Sequence, residues 1–385
     1  MSLRARHFRP RFQSLLRQFP IVCILGPRQC GKTTFVKSVL PDWRYLDLER
    51  PSDLIQVSED PEDALHRWQR HMIFDEAQRL PALFPVLRSF VDENRSKKGR
   101  IVLLGSASPH LMRNTSESLA GRVGFLDMTP FLAEEVPDRG RLWIRGGFPE
   151  AYLQNSDSRR TDWFEAYTRT FIERDLHQLG IEVSPVQMRK LMSMLAHVHG
   201  GLWNASELAG SLGVSYHTVN RYVEILEQTF LIRRLPPYFA NLSKRLVKSP
   251  KVYFRDSGLL HYFLGVATKE DLDVHPKKGA SWEGFVLEQV LGWLSLRGAA
   301  MEAYFWRTGT GSEVDLMLKK GRRLIPIEIK RHSSPQKSDV TGLVSCMADL
   351  GLKEGYVIRP GGENYSLGGG VRVITLNQLE SVLSA

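Results

Sequence analysis

Five consecutive apolar positions, Ile21-Val22-Cys23-Ile24-Leu25, stand out from the mixed sequence around them. A run this short, continuous and rich in β-branched residues predicts a strand covered on both faces, as in a parallel sheet. Four further segments read as strands: Tyr45 to Leu48, His71 to Asp75, Arg100 to Ser106 and Arg122 to Met128. Helical stretches separate them, the first running from Lys32 to Leu40. Five strands alternating with helices predict an α/β layer built on a parallel sheet.

Beyond residue 150 the period changes. Trp163, Phe164, Tyr167, Phe171 and Leu176 recur at helical spacing, which predicts a linking helix over 162–179 and another over 187–198. A short helix, Ser206 to Leu212, then meets a turn at Gly213. Ser215 caps a second helix that carries Val219, Tyr222, Val223 and Leu226 on one face. Phe230 to Pro236 can form a wing, so this third reads as a winged helix-turn-helix. The last third predicts a helix over 281–290 and strands at 304–307, 313–318 and 324–330. A turn at Leu367 to Gly370, a short strand to Thr375 and a closing helix to Leu383 complete it. The expected division is 1–150, 151–245 and 246–385.

The first strand runs straight into Gly26-Pro27-Arg28-Gln29-Cys30-Gly31-Lys32-Thr33, the pattern G-x-x-x-x-G-K-[ST] of a phosphate-binding loop. Gly26 and Gly31 permit a tight turn that aims backbone N–H groups at a β-phosphate, and the helix N-terminus at Lys32, Thr33 and Thr34 adds its dipole. Lys32 would neutralise the β- and γ-phosphates, and Thr33 would hold Mg²⁺. The strand ending in Asp75 and Glu76 supplies the acids that nucleotide hydrolysis needs. Asp75 would support the metal shell, and Glu76 would orient or deprotonate the attacking water. Ser106 ends the next strand; it is either a γ-phosphate sensor or an ordinary strand-to-loop turn.

Taken in order, Gly26–Thr33, Phe-Asp-Glu-Ala-Gln at 74–78, Leu-Leu-Gly-Ser-Ala-Ser at 103–108, Leu-Ala-Gly-Arg at 119–122 and Gly-Gly-Phe-Pro-Glu at 146–150 form a signature. It resembles the prokaryotic AAA+-type ATPases that carry a C-terminal domain of unknown function with a restriction-endonuclease-like fold. The resemblance spans nearly the whole chain. It implies ATP and Mg²⁺ as ligands and an oligomer, a hexameric ring being expected. It also implies an arginine at position 122 aimed at a neighbour's γ-phosphate, where it would stabilise transition-state charge. Arg122 could equally close the strand edge or pair with Glu117, and Arg145, Arg169 and Arg174 compete for the same role.

Tyr216, His217, Asn220 and Arg221 begin the second helix of the helix-turn-helix and are the candidates to reach a DNA groove. Arg233, Arg234, Lys244 and Arg245 follow as candidate phosphate contacts. With Glu224 and Glu227 on the same helix, backbone contact is expected rather than base reading. In the last third, Glu283 on a helix, Asp315 on one strand and the pair Glu328 and Lys330 on the next resemble the D…(D/E)-x-K arrangement of PD-(D/E)xK nucleases. That likeness implies a second divalent metal on Glu283, Asp315 and Glu328, with Lys330 positioning water. Two readings stand: a nuclease, or a domain that binds DNA without cutting it.

Composition adds little until position is considered. The 385 residues suffice for two or three cores, and the net charge is +10. No third is strongly basic by itself. The cations cluster before Asp42, between Gln228 and Arg255, and at Lys319, Lys320, Arg322 and Arg323. Three cysteines exclude a disulfide framework, and no apolar window is long enough to span a membrane. A cytoplasmic protein is expected. The reading that unites these features is an ATP-hydrolysing oligomer that remodels or translocates on duplex or branched DNA, Holliday junctions included. The alternative is a nucleotide-switched regulatory or scaffold ATPase acting on a protein.

Overall fold

The computed structural model describes residues 4–68, 71–106, 117–178, 181–239 and 247–383. Five parallel strands form the N-terminal sheet: β1 (Ile21–Gly26), β2 (Arg44–Asp47), β3 (Met72–Asp75), β4 (Ile101–Ser106) and β5 (Val123–Asp127), in the order β2-β3-β4-β1-β5. The alternation of strand side chains explains why the apolar run of β1 is unbroken. Ile21, Cys23, Leu25, Phe74 and Leu103 pack in one cluster. Their neighbours Val22, Ile24, Ile73 and Leu104 pack in another. Both faces of the sheet are therefore core, which leaves the strand ends for chemistry. β1 lies between β4 and β5, and the C-terminal ends of these strands frame one crevice.

The linking helix starts at Asp157, where Ser156 caps it, and runs to Thr170. It then widens into a π turn at Phe171–Asp175 before a last turn at Leu176–Gln178. The helix Pro185–His197 follows, then Ala205–Leu212, a left-handed Gly213 at φ 68°, and Tyr216–Gln228. Ser215 Oγ accepts from the Thr218 amide at 3.1 Å, which caps this second helix. The strand expected from the sequence, β6 (Ile232–Leu235), pairs antiparallel with β7 (Lys251–Phe254). Val252, Phe254, Leu259 and Leu260 join the same buried cluster as the helix-turn-helix, so this core continues well past residue 245.

A six-stranded mixed sheet forms the C-terminal part, in the order β12-β13-β11-β10-β9-β8. β8 (Glu302–Arg307), β9 (Glu313–Lys320) and β10 (Arg323–Ile329) make an antiparallel meander. β11 (Gly355–Arg359) and β13 (Val371–Thr375) continue it in parallel, and β12 (Tyr365–Gly368) closes the edge antiparallel to β13. The Leu367–Gly370 segment is thus half strand and half hairpin turn. The helix Lys278–Arg297 is buried along most of its length. It packs against this sheet and also against Phe131, Leu142 and Tyr152.

Candidate nucleotide site and carboxylate pocket

β1 delivers Gly26 to the mouth of the crevice. A Cβ there would lie 2.2 Å from the Met128 carbonyl oxygen, so only glycine fits. Gln29 at φ 59° and Gly31 at φ 96° turn the loop back into the helix Lys32–Val39. A non-glycine residue in the left-handed region marks strain that the surrounding fold must hold. The Lys32 ammonium is buried and donates to the carbonyls of Gly26 and Pro27, both at 2.9 Å. Thr33 Oγ1 donates to Asp75 Oδ2 at 2.6 Å, and the Tyr45 hydroxyl donates to the same oxygen at 2.7 Å. Glu76 is a second strained residue, at φ 53°, and its amide donates to Asp75 Oδ1 at 3.0 Å. The Glu76 carboxylate accepts from the Gln78 amide.

Lys32, Thr33, Asp75 and Glu76 line one cleft together with Arg28, Thr34, Glu150, Tyr167, Arg174 and Asp175. The last three come from the linking helix and its π turn. Arg28 pairs with Asp175 and, at 3.2 Å, with Glu49. Arg174 also reaches Glu49, at 3.3 Å. Burial pushes the Asp175 carboxyl up to about 6, against the pull of Arg28 and Arg174. Sequence reasoning missed Tyr45, Glu49 and Asp175. The one available signal for Asp175 was an acid breaking the apolar face of a helix. Thr33 and Asp75 offer two hard oxygen donors at the base of the loop, so these residues fit a magnesium ion carried in with nucleotide phosphates.

Ser106 is paired with Gly26 in the sheet, beside the loop, although its side chain lies outside the described residues. Arg122 precedes β5, at the sheet edge opposite the loop, and forms a two-point ion pair with Asp92 at 2.8 and 2.6 Å. It lies beside Ile21, at the end of β1 away from the loop that follows Gly26. Arg145 pairs with Asp157 at 3.1 Å and Arg169 with Glu173 at 3.1 Å, whereas Arg174 faces the cleft.

On the helix-turn-helix, Tyr216, His217 and Arg221 are exposed, with Tyr216 52% accessible. Asn220 is half-buried and accepts from Trp203 Nε1 at 3.2 Å. Arg233 and Arg234, the expected phosphate contacts, are both held in internal ion pairs. β6 packs beside the helix Lys278–Arg297, so Arg233 is engaged by buried Glu288, which also holds Arg255 at 3.2 Å. Arg234 Nε donates to Glu227 at 2.7 Å. Lys244 and Arg245 lie outside the described residues.

The C-terminal acids converge, but not around an open space. Ile329 N donates to Asp315 Oδ2 at 2.8 Å, and Lys330 Nζ pairs with Glu328 at 2.7 Å. Burial, then the charges of Glu328 and Glu283, pushes the Asp315 carboxyl well up. Between Asp315 and Glu283 lies the ammonium of Lys251, a residue the sequence presented only as one cation in a basic run. Among the described residues no group of three or more His, Cys, Asp or Glu is arranged to hold a metal. Glu283, Asp315 and Glu328, the residues expected to hold a second divalent ion, are brought together here with the ammonium of Lys251 among them.

A family model described as "AAA domain" matches residues 18–136. Two models for domains of unknown function, DUF8612 and DUF4143, match residues 137–270 and 278–379. Uncharacterized proteins of Mycobacterium tuberculosis and Mycobacterium bovis are each 40% identical over 384 residues, covering 98% of this chain and 85% of theirs. Among solved structures, a Walker-type ATPase of Pyrococcus abyssi is similar, with 14% identity, 67% of this chain and 94% of that chain covered, and a TM-score of 0.47.

Proposed function

The chain belongs to the family of the two mycobacterial proteins and is a P-loop ATPase of the AAA type; from that premise we propose that ATP hydrolysis here drives an oligomer that remodels or translocates on DNA. Lys32 and the loop amides bind the phosphates. Thr33 and Asp75 hold the magnesium ion, which supplies charge neutralisation at the phosphates when bound. Glu76, poised by its strained backbone, orients the attacking water. Arg122 reaches the nucleotide of the next copy. The observation that carries the DNA reading is continuity. The helix whose π turn contributes Asp175 to the cleft leads into the helix-turn-helix, whose exposed Tyr216, His217 and Arg221 form its outer face.

The test is the ATPase rate of the full chain against linear, single-stranded and branched DNA, with Lys32→Ala as the inactive control. Stimulation by at least one form is expected, and none by any form would overturn the reading. A second reading, a nucleotide-switched scaffold for a protein, is favoured by the internal pairing of Arg233 and Arg234. The two separate on salt, because DNA affinity must fall steeply as salt rises.

A further inference from the structure

Lys251 does not come from the elements that supply the acids. It lies on β7, beside the helix-turn-helix, and its side chain enters the C-terminal pocket with 3% exposure. Nζ meets Glu283 Oε1 at 2.9 Å, Asp315 Oδ1 at 3.8 Å, and Glu313. Tyr253, two residues on and therefore on the same face of the strand, donates to the same Glu283 oxygen at 2.5 Å. Four carboxylates, Glu283, Glu313, Asp315 and Glu328, thus face the cations Lys251, Lys330 and Arg307, the last 3.0 Å from Glu313. Glu328 Oε2 is buried without a hydrogen bond.

We propose that Lys251 is the resident cation of this pocket, occupying the position in which the same carboxylates would otherwise hold a divalent ion. The pocket binds no metal and cleaves no phosphodiester. Its acids serve to tie β7, and with it the helix-turn-helix, to the C-terminal sheet. A divalent ion is admitted only when the ammonium is removed.

The experiment is a Mn²⁺ titration of the full chain without nucleotide, read by calorimetry and electron paramagnetic resonance. A Thr33→Ala background silences the P-loop. No bound ion is expected with Lys251 present, and one ion per chain is expected in Lys251→Ala. Binding by the lysine-bearing chain that disappears in Asp315→Asn would overturn the proposal. So would Mn²⁺-dependent plasmid cleavage lost in Asp315→Asn, or a folded Lys251→Ala chain that takes up no ion. Lys251→Gln, which keeps most of the side-chain volume, provides a second variant should the alanine form not fold; it too must gain the ion.

Discussion

Replacing Glu288 with glutamine removes the carboxylate that Arg233 and Arg255 share. Both guanidiniums reach it, Arg233 through Nε and through Nη2 at 3.0 Å, and Arg255 through Nε at 3.2 Å. Without that charge, two largely buried cations face each other. Breaking a buried pair from one side costs ~3–5 kcal/mol. The side chains of Arg233 and Arg255 retain 25% and 16% exposure, and glutamine keeps one acceptor oxygen. Screening and that oxygen reduce the expected cost to ~2–3 kcal/mol. At ~2–4 °C per kcal/mol for a unit of this size, the melting midpoint should fall by about 4–12 °C. Circular dichroism melts near neutral pH measure it directly. The same logic separates structure from recognition: Arg233→Ala should destabilise to a similar degree yet leave the salt dependence of DNA binding unchanged. Arg221→Ala should do the reverse, reducing the salt slope by about 1 with little change in stability. An Arg233→Ala chain of native stability with a shallower salt slope would refute the reasoning, because Arg233 would then be a phosphate contact.

Asp175 gives a pH signature. Ionised near neutral pH, it holds Arg28, and as pH falls through about 6 it takes up a proton and the pair loosens. The ATPase profile should show a limb near that pH, and Asp175→Asn should flatten it. Gly26→Ala forces a methyl group into the Met128 carbonyl, 2.2 Å from the ideal Cβ position. It should abolish ATP binding measured by fluorescent-nucleotide titration and cost ~1–3 kcal/mol in stability. Arg122→Ala should lower kcat by ~10³ or more while leaving ATP affinity intact, if the residue serves a neighbour. Addition of a chain carrying Arg122 but inactivated by Lys32→Ala should restore part of the rate, and failure to restore any would count against the role in trans.

The parallel sheet is legible in the chain because its inner strands β1, β3 and β4 are buried, so each appears as an apolar run bounded by polar residues. The nucleotide loop is legible because it is local. Gly26 to Thr33 are contiguous, and the turn, the amides and the helix N-terminus all follow from eight adjacent residues. Pairing across the fold is another matter. Arg233 reads as an open cation because its partner, Glu288, lies 55 residues further on. Asp175 reads as one more acid on a helix because its partner, Arg28, is 147 residues away. Lys251 joins three acids from a helix and a strand that come later in the chain. A charge in a sequence declares its sign but not its neighbour, and in a low-dielectric interior the neighbour determines whether it binds a phosphate, a metal or another side chain. Close packing of β6 and β7 against the helix Lys278–Arg297 and the C-terminal sheet made that choice for Arg233 and Lys251, and the π turn lying over the nucleotide loop made it for Asp175.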